Sequence, residues 1–129
     1  MKTEAINIER STNMSYLNRI TKSNPDLIME MITIYLEQTP ILISGMKKAM
    51  QDQDWDSLHA VAHRMIPSFL IIGISSEYEL MTKKIQKYSG SSEDSIEIEM
   101  MVEKVITVCE NACKELEEEY NTLKTPTHE

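Results

Sequence analysis

Residues that break or sharply turn a backbone are scarce in this sequence. It has three glycines and four prolines in 129 residues, and aromatics make up only 5%. A sheet protein of this size needs many tight turns and β-favouring faces, so the scarcity, together with ten methionines, favours helices packed on helices. Long apolar runs are missing as well. The longest, Phe69 to Ile74, falls far short of the roughly 18 to 20 residues a membrane span requires. Basic charge is in deficit, with 13 Lys and Arg against 21 Asp and Glu, and the net charge of −8 argues against a nucleic-acid partner. Residues 1–10 lack the apolar core and small-residue cleavage site of a secretory signal. No membrane or nucleic-acid partner and a cytoplasmic location are the expectations. Cys109 and Cys113 are the only cysteines and stand one helical turn apart on an apolar stripe, with no further Cys or His at ligand spacing nearby. They read as small core hydrophobes rather than redox or metal groups.

The length suits one domain. Residues 1–13 show no clear period and read as a lead-in, in which Ile6 and Ile8 have the apolar character to lie against the domain. Tyr16, Leu17 and Ile20 mark a short first helix over residues 15–21. Asn24-Pro25-Asp26 then supplies a cap, a first-turn proline and a first-turn acid for a long helix running to about Asp52. Pro40 removes one amide from it and predicts a bend near residues 36–40. Asp54 caps a helix that ends near Gly73, with Leu58, Val61, Ala62, Met65, Phe69 and Ile72 on its inner face. Ser75, Ser76, Glu77 and Glu79 start the next, which places Tyr78, Met81 and Ile85 or Tyr88 inward and stops at Ser89-Gly90. A last long helix carries Ile98, Val102, Val105, Cys109, Ala112 and Leu116 inward. Glu115 to Glu119 reads as its solvated acidic face, and residues 125–129, with Pro126 and His128, as a frayed tail. The expected fold is all-α: an up-down-up-down four-helix bundle over residues 14–124 with a short additional N-terminal helix.

At about 100° per residue, His63 stands nearly opposite the core stripe of its helix. Packing does not need an imidazole there. A neutral ring with a free lone pair is a nucleophile and is able to take a phosphoryl group.

Asp54-Trp55 with Leu58, then Ala62-His63, Met65, Ser68 and Gly73, resembles the histidine-phosphotransfer (HPt) domain of two-component phosphorelays. The motif of that family reads roughly Ala-His-x-Leu-Lys-Gly-Ser with a glycine further on. The upstream segment Tyr35-Leu36-Glu37-Gln38-Thr39-Pro40 is also similar to that family. The resemblance implies that His63 exchanges a phosphoryl group with the aspartate of a response-regulator receiver domain, alone or within a hybrid sensor histidine kinase. It implies a monomeric phosphocarrier rather than an enzyme, with no cofactor of its own; Mg²⁺ and the acidic pocket belong to the receiver.

Two positions depart from the family pattern. Ile66 stands where a lysine that steadies the phosphoryl group is usual, and Pro67 where a small glycine is usual. Arg64, Lys83, Lys84 and Lys87 are candidates to supply the missing charge, and with Ser68 they are the expected neighbours of the phosphate. His59, Ile66, Pro67 and Leu70 lie near the His63 meridian and are the expected docking surface for a receiver. Three alternatives stand beside this reading: a scaffold or inhibitor that binds a receiver or kinase without transfer, a metal site shared by His59 and His63 at four-residue spacing, and a helical interaction domain whose His63 is merely exposed.

Overall fold

The computed structural model describes residues 10–125; Ile6, Ile8, Pro126 and His128 lie outside the described residues. Every regular element among those described is a helix: α1 (Ser15–Thr21), α2 (Pro25–Asp52), α3 (Trp55–Ile72), α4 (Ser76–Lys87) and α5 (Ser95–Lys124).

The boundaries have local causes. The Asn24 side-chain oxygen accepts the amides of Asp26 at 2.9 Å and Leu27 at 3.3 Å, which satisfies donors that the first turn of α2 leaves free. Gln53 in the left-handed region closes α2. Asp54 then accepts the Ser57 amide at 3.2 Å and opens α3. Both α2 and α3 remain helical through their internal prolines, Pro40 and Pro67. Gly73 ends α3 at φ +73°, and there a Cβ would run into the backbone of Asn13, whose amide donates to the Ile72 carbonyl at 2.9 Å. At the other end of α3, Trp55 stacks edge-on against Tyr88 with ring centroids 4.8 Å apart. Gly90 sits so close that a Cβ would come within 2.5 Å of the indole nitrogen. The chain on either side of α3 and α4 thus clamps α3 at both ends.

Helix α2 packs on α3 and α5, α4 packs on α3 and α5, and α1 lies against α2 and α3. Leu17, Ile32, Met46, Leu58, Met65, Phe69, Ile85, Val105 and Leu116 are fully buried where these faces meet. Burial of each such large apolar side chain is worth about 1.5–3 kcal/mol. The apolar stripes expected from sequence therefore face the core, with Val61 on α3, Tyr78 and Met81 on α4, and Tyr88 just past its end only half-buried. On α4 the innermost residues are Ile85 and Thr82. Thr82 is tolerated there because its hydroxyl donates to the Tyr78 carbonyl at 2.7 Å, leaving no orphaned polar group. Cys109 packs in the core beside Tyr35, and burial pushes its thiol up to about 12 and that of Cys113 to about 11, as suits packing groups rather than reactive ones. By length and composition α2 would suffice to cross a membrane; here its stripe turns into the core.

Contrary to the expectation from sequence, Glu115 is not part of a solvated acidic face, since its side chain is only 17% exposed. Its carboxylate accepts the amides of Ser11 at 2.8 Å and Thr12 at 2.9 Å and the Thr12 hydroxyl, and it ion-pairs with Arg10; Glu119 takes the other end of the Arg10 guanidinium at 3.2 Å. A helical-wheel reading misses this because the partners come from residues 10–12, about a hundred positions away.

Candidate functional site

His63 sits on the crest of α3, exposed, between two flanks of different chemistry. The α4 flank is polar and tightly held. Gln86 Nε2 lies 3.2 Å from His63 Nδ1, and the Gln86 backbone carbonyl accepts from His59 Nδ1 at 2.9 Å. One residue thereby anchors both rings, which stack parallel, 1° apart in plane, with centroids at 6.3 Å. Antiparallel packing of α3 on α4 brings Gln86 to this point, and the adjacent core positions Ile85 and Thr82 fix which face of α4 it occupies. The opposite ring nitrogen of His63, Nε2, has no protein partner among the described residues.

The α2 flank is an apolar groove of about 240 Å³ between α2 and α3, lined by Met31, Ile34, Leu42, Pro67 and Ile71, with Gln38, Arg64 and Ser68 among its polar members. Exposed Leu27, Ile34 and Ile41 continue the apolar surface along α2 at seven-residue spacing.

The residues expected around a phosphate divide between these flanks. Lys83 is held by Glu79 at 3.1 Å and Lys84 lies 3.8 Å from Glu97, whereas Arg64 and Lys87 have no carboxylate partner among the described residues. Arg64 lines the α2 groove. Ser68 donates its hydroxyl back to the Met65 carbonyl at 2.8 Å, so its proton is committed to α3. Of the expected docking residues, His59 and Pro67 are exposed, Leu70 is 60% exposed, and Ile66 is half-buried. Pro67 belongs to the α2 groove, while His59 and Ile66 lie on the other flank by helical angle, with Leu70 near the crest.

Sequence reasoning missed Gln86, a glutamine in the last turn of α4 of a kind common on solvated faces, which carried no signal until α4 was laid against α3. It also missed the outer stripe of α2. That signal existed: Leu27, Ile34 and Ile41 recur every seven residues outside the core stripe.

With the Gln86 amide nitrogen toward it, Nδ1 of a neutral ring accepts and the ring hydrogen sits on Nε2; with the carboxamide turned so that its oxygen accepts from Nδ1–H, Nε2 holds a free lone pair and is a positioned nucleophile. A carboxamide offers a donor or an acceptor by a half-turn, so Gln86 is able to serve His63 whether or not Nδ1 carries the proton. The stacked geometry does not suit a shared ion. Nitrogen lone pairs lie in the ring planes, and stacked parallel planes do not converge on one point at bonds of about 2.0–2.1 Å. Comparison with protein-family models, curated proteins and solved structures found no match to this chain.

Proposed function

We propose that this chain is an HPt-type phosphorelay intermediate, with His63 the residue that carries the phosphoryl group. One observation bears the weight: the exposed His63 ring, held at Nδ1 by Gln86 across the α3–α4 contact, keeps Nε2 open to an approaching partner. The cyclic packing of the four longer helices, joined through residues 53–54, 73–75 and 88–94, fits an up-down-up-down four-helix bundle with α1 laid against α2 and α3.

In this reading the donor is an aspartyl phosphate on a response-regulator receiver domain, alone or in a hybrid sensor kinase. From the tautomer that carries its hydrogen on Nδ1, held by the Gln86 carboxamide oxygen after a half-turn, Nε2 forms the new N–P bond as the acyl P–O bond breaks, and the electron pair leaves on the receiver's carboxylate. The ring then sheds its Nδ1 proton to water, and Gln86 turns its amide N–H toward the bared nitrogen. An acyl phosphate is already activated, so placing the imidazole in line is the main task. Mg²⁺ and the acidic pocket are the receiver's, and the carrier turns over nothing by itself. The apolar α2–α3 groove, with Leu70 beside it, offers the receiver a surface to pack on. The reading includes a cytoplasmic monomer with neither nucleic-acid nor membrane partners.

The test is transfer of labelled phosphate from a panel of phosphorylated receivers. Wild type is expected to gain acid-labile, base-stable label and His63→Ala none. A wild-type chain that stays unlabelled across the panel refutes transfer. Ile66, uncharged and half-buried where the family places lysine, favours a second reading as a receiver- or kinase-binding scaffold or inhibitor. That reading expects His63→Ala to preserve both binding and signalling.

A further inference from the structure

The α4 flank holds two imidazoles where a carrier needs one. His59 adds nothing to the core, since its ring is exposed. Yet it is not free to turn: its Nδ1 lies 2.9 Å from the Gln86 carbonyl, which accepts only, so Nδ1 must carry the hydrogen. Any second proton therefore goes to Nε2, on the side of the ring away from α4. The same residue fixes His63 through its side chain, and the rings stand parallel at 6.3 Å. The pair is thus a built unit, with Gln86 setting the spacing.

Of the other cations near the site, Lys83 is neutralised by Glu79, Lys84 faces Glu97 and Arg64 lines the groove on the far flank. Lys87, next to Gln86 at the end of α4, has among the described residues neither a carboxylate partner nor a hydrogen bond that holds it toward His63, and Ile66 brings no charge. On its own helix Asp56 stands one turn before His59, and on α4 Lys83 and Lys87 stand on either side of Gln86, Lys83 paired with Glu79. A dianionic phosphoryl group one ring-spacing away favours the positively charged form of a neighbouring imidazole.

We infer that His59 is the charge partner of the phosphorylated site: its imidazolium, anchored by the Gln86 carbonyl, faces the phosphoryl group on His63 and takes the role of the lysine that Ile66 replaces. His59 forms no bond to phosphorus and is a positioning residue. The inference rests on the phosphocarrier reading and extends it to the residue that determines how long the phosphate stays.

The experiment is direct phosphorylation of the full chain with phosphoramidate, followed by the decay of phosphohistidine at neutral pH by ³¹P NMR. His59→Gln keeps a hydrogen-bonding side chain and removes the charge; His59→Lys removes the ring and keeps the charge. The expected result is a half-life shortened about fivefold in His59→Gln, the effect of one screened unit charge at this distance, and restored toward wild type in His59→Lys. Thermal unfolding of both variants within about 2 °C of wild type is expected for an exposed side chain. An unchanged half-life in His59→Gln overturns the inference, and so does equal shortening in both variants, which would assign the effect to packing. Failure of wild type to take phosphate on His63 overturns the carrier reading and this inference together, whereas labelled wild type with an indifferent His59 overturns only the latter.

Discussion

Replacing Glu115 with glutamine tests the tie between the N-terminal segment and α5. The carboxylate accepts two backbone amides and one hydroxyl and faces the Arg10 guanidinium at 3.7 Å. Glutamine keeps the shape but turns one acceptor into a donor. With Oε1 left facing Thr12, the new NH₂ meets the Ser11 amide, so one charge-assisted bond becomes a donor–donor clash and the rest lose their charge. Each charge-assisted bond is worth about 1.5–3 kcal/mol when well buried. Partial solvent contact and the freedom of residues 10–12 to move away reduce the net loss to about 2 kcal/mol. For a chain of this size that is a fall in Tm of about 6–10 °C at pH 7. The pH dependence has a definite sign. Burial raises the Glu115 carboxyl, but the Ser11 and Thr12 hydrogen bonds and Arg10 outweigh it and hold the carboxyl below its ordinary value. The unfolded chain therefore binds the proton first as pH falls. The stabilisation is complete above the ordinary glutamate value of about 4.3 and is lost as pH drops through the lower folded value. Thermal melts by circular dichroism from pH 3 to 7 should show the gap between wild type and Glu115→Gln closing only at the acid end. A gap under about 1 °C at pH 7, or one that does not change with pH, would refute the argument.

Three further outcomes follow from the same geometry. Gly73→Ala combines a left-handed backbone with a Cβ driven into Asn13, and should cost about 2–4 kcal/mol in chemical denaturation; a loss below about 0.5 kcal/mol would mean that residues 10–13 shift aside freely. Gln86→Leu removes one neutral hydrogen bond of about 1 kcal/mol from His63 Nδ1, so phosphohistidine formation should slow about fivefold while folding stability falls by no more than about 1 kcal/mol, and an unaltered rate would deny Gln86 its role. Ile66→Lys adds a second cation beside the phosphate and should lengthen the phosphohistidine half-life beyond what His59 provides, and no change would show that the cation already present suffices.

Local sequence determined the number and extent of the helices. Asn24 with Pro25, Asp54, and Gly73 punctuate the chain through interactions that reach only three or four residues, and the core stripes of α2, α3 and α5 follow from a period fixed by backbone geometry. The same period placed His63 opposite the core, for the direction of a side chain on a helix needs no knowledge of the neighbouring helices. What surrounds His63 had to wait for the tertiary structure. Gln86 stands 23 positions away and could have faced solvent; only the register of α3 on α4 brings it to Nδ1 and spaces His59 and His63 as a pair. The pairing of Lys83 with Glu79 is a helical i,i+4 contact, whereas Lys84 with Glu97 depends on how α4 meets α5. Glu115 differs from Glu117 and Glu118 only in what the fold lays over it. Short-range hydrogen bonding and periodicity are written along the chain, while the partners of a polar side chain depend on distances that exist only after the core has closed. The sequence alone therefore set out the helices and singled out His63, and the packing of α4 and residues 10–13 supplied the partners around them.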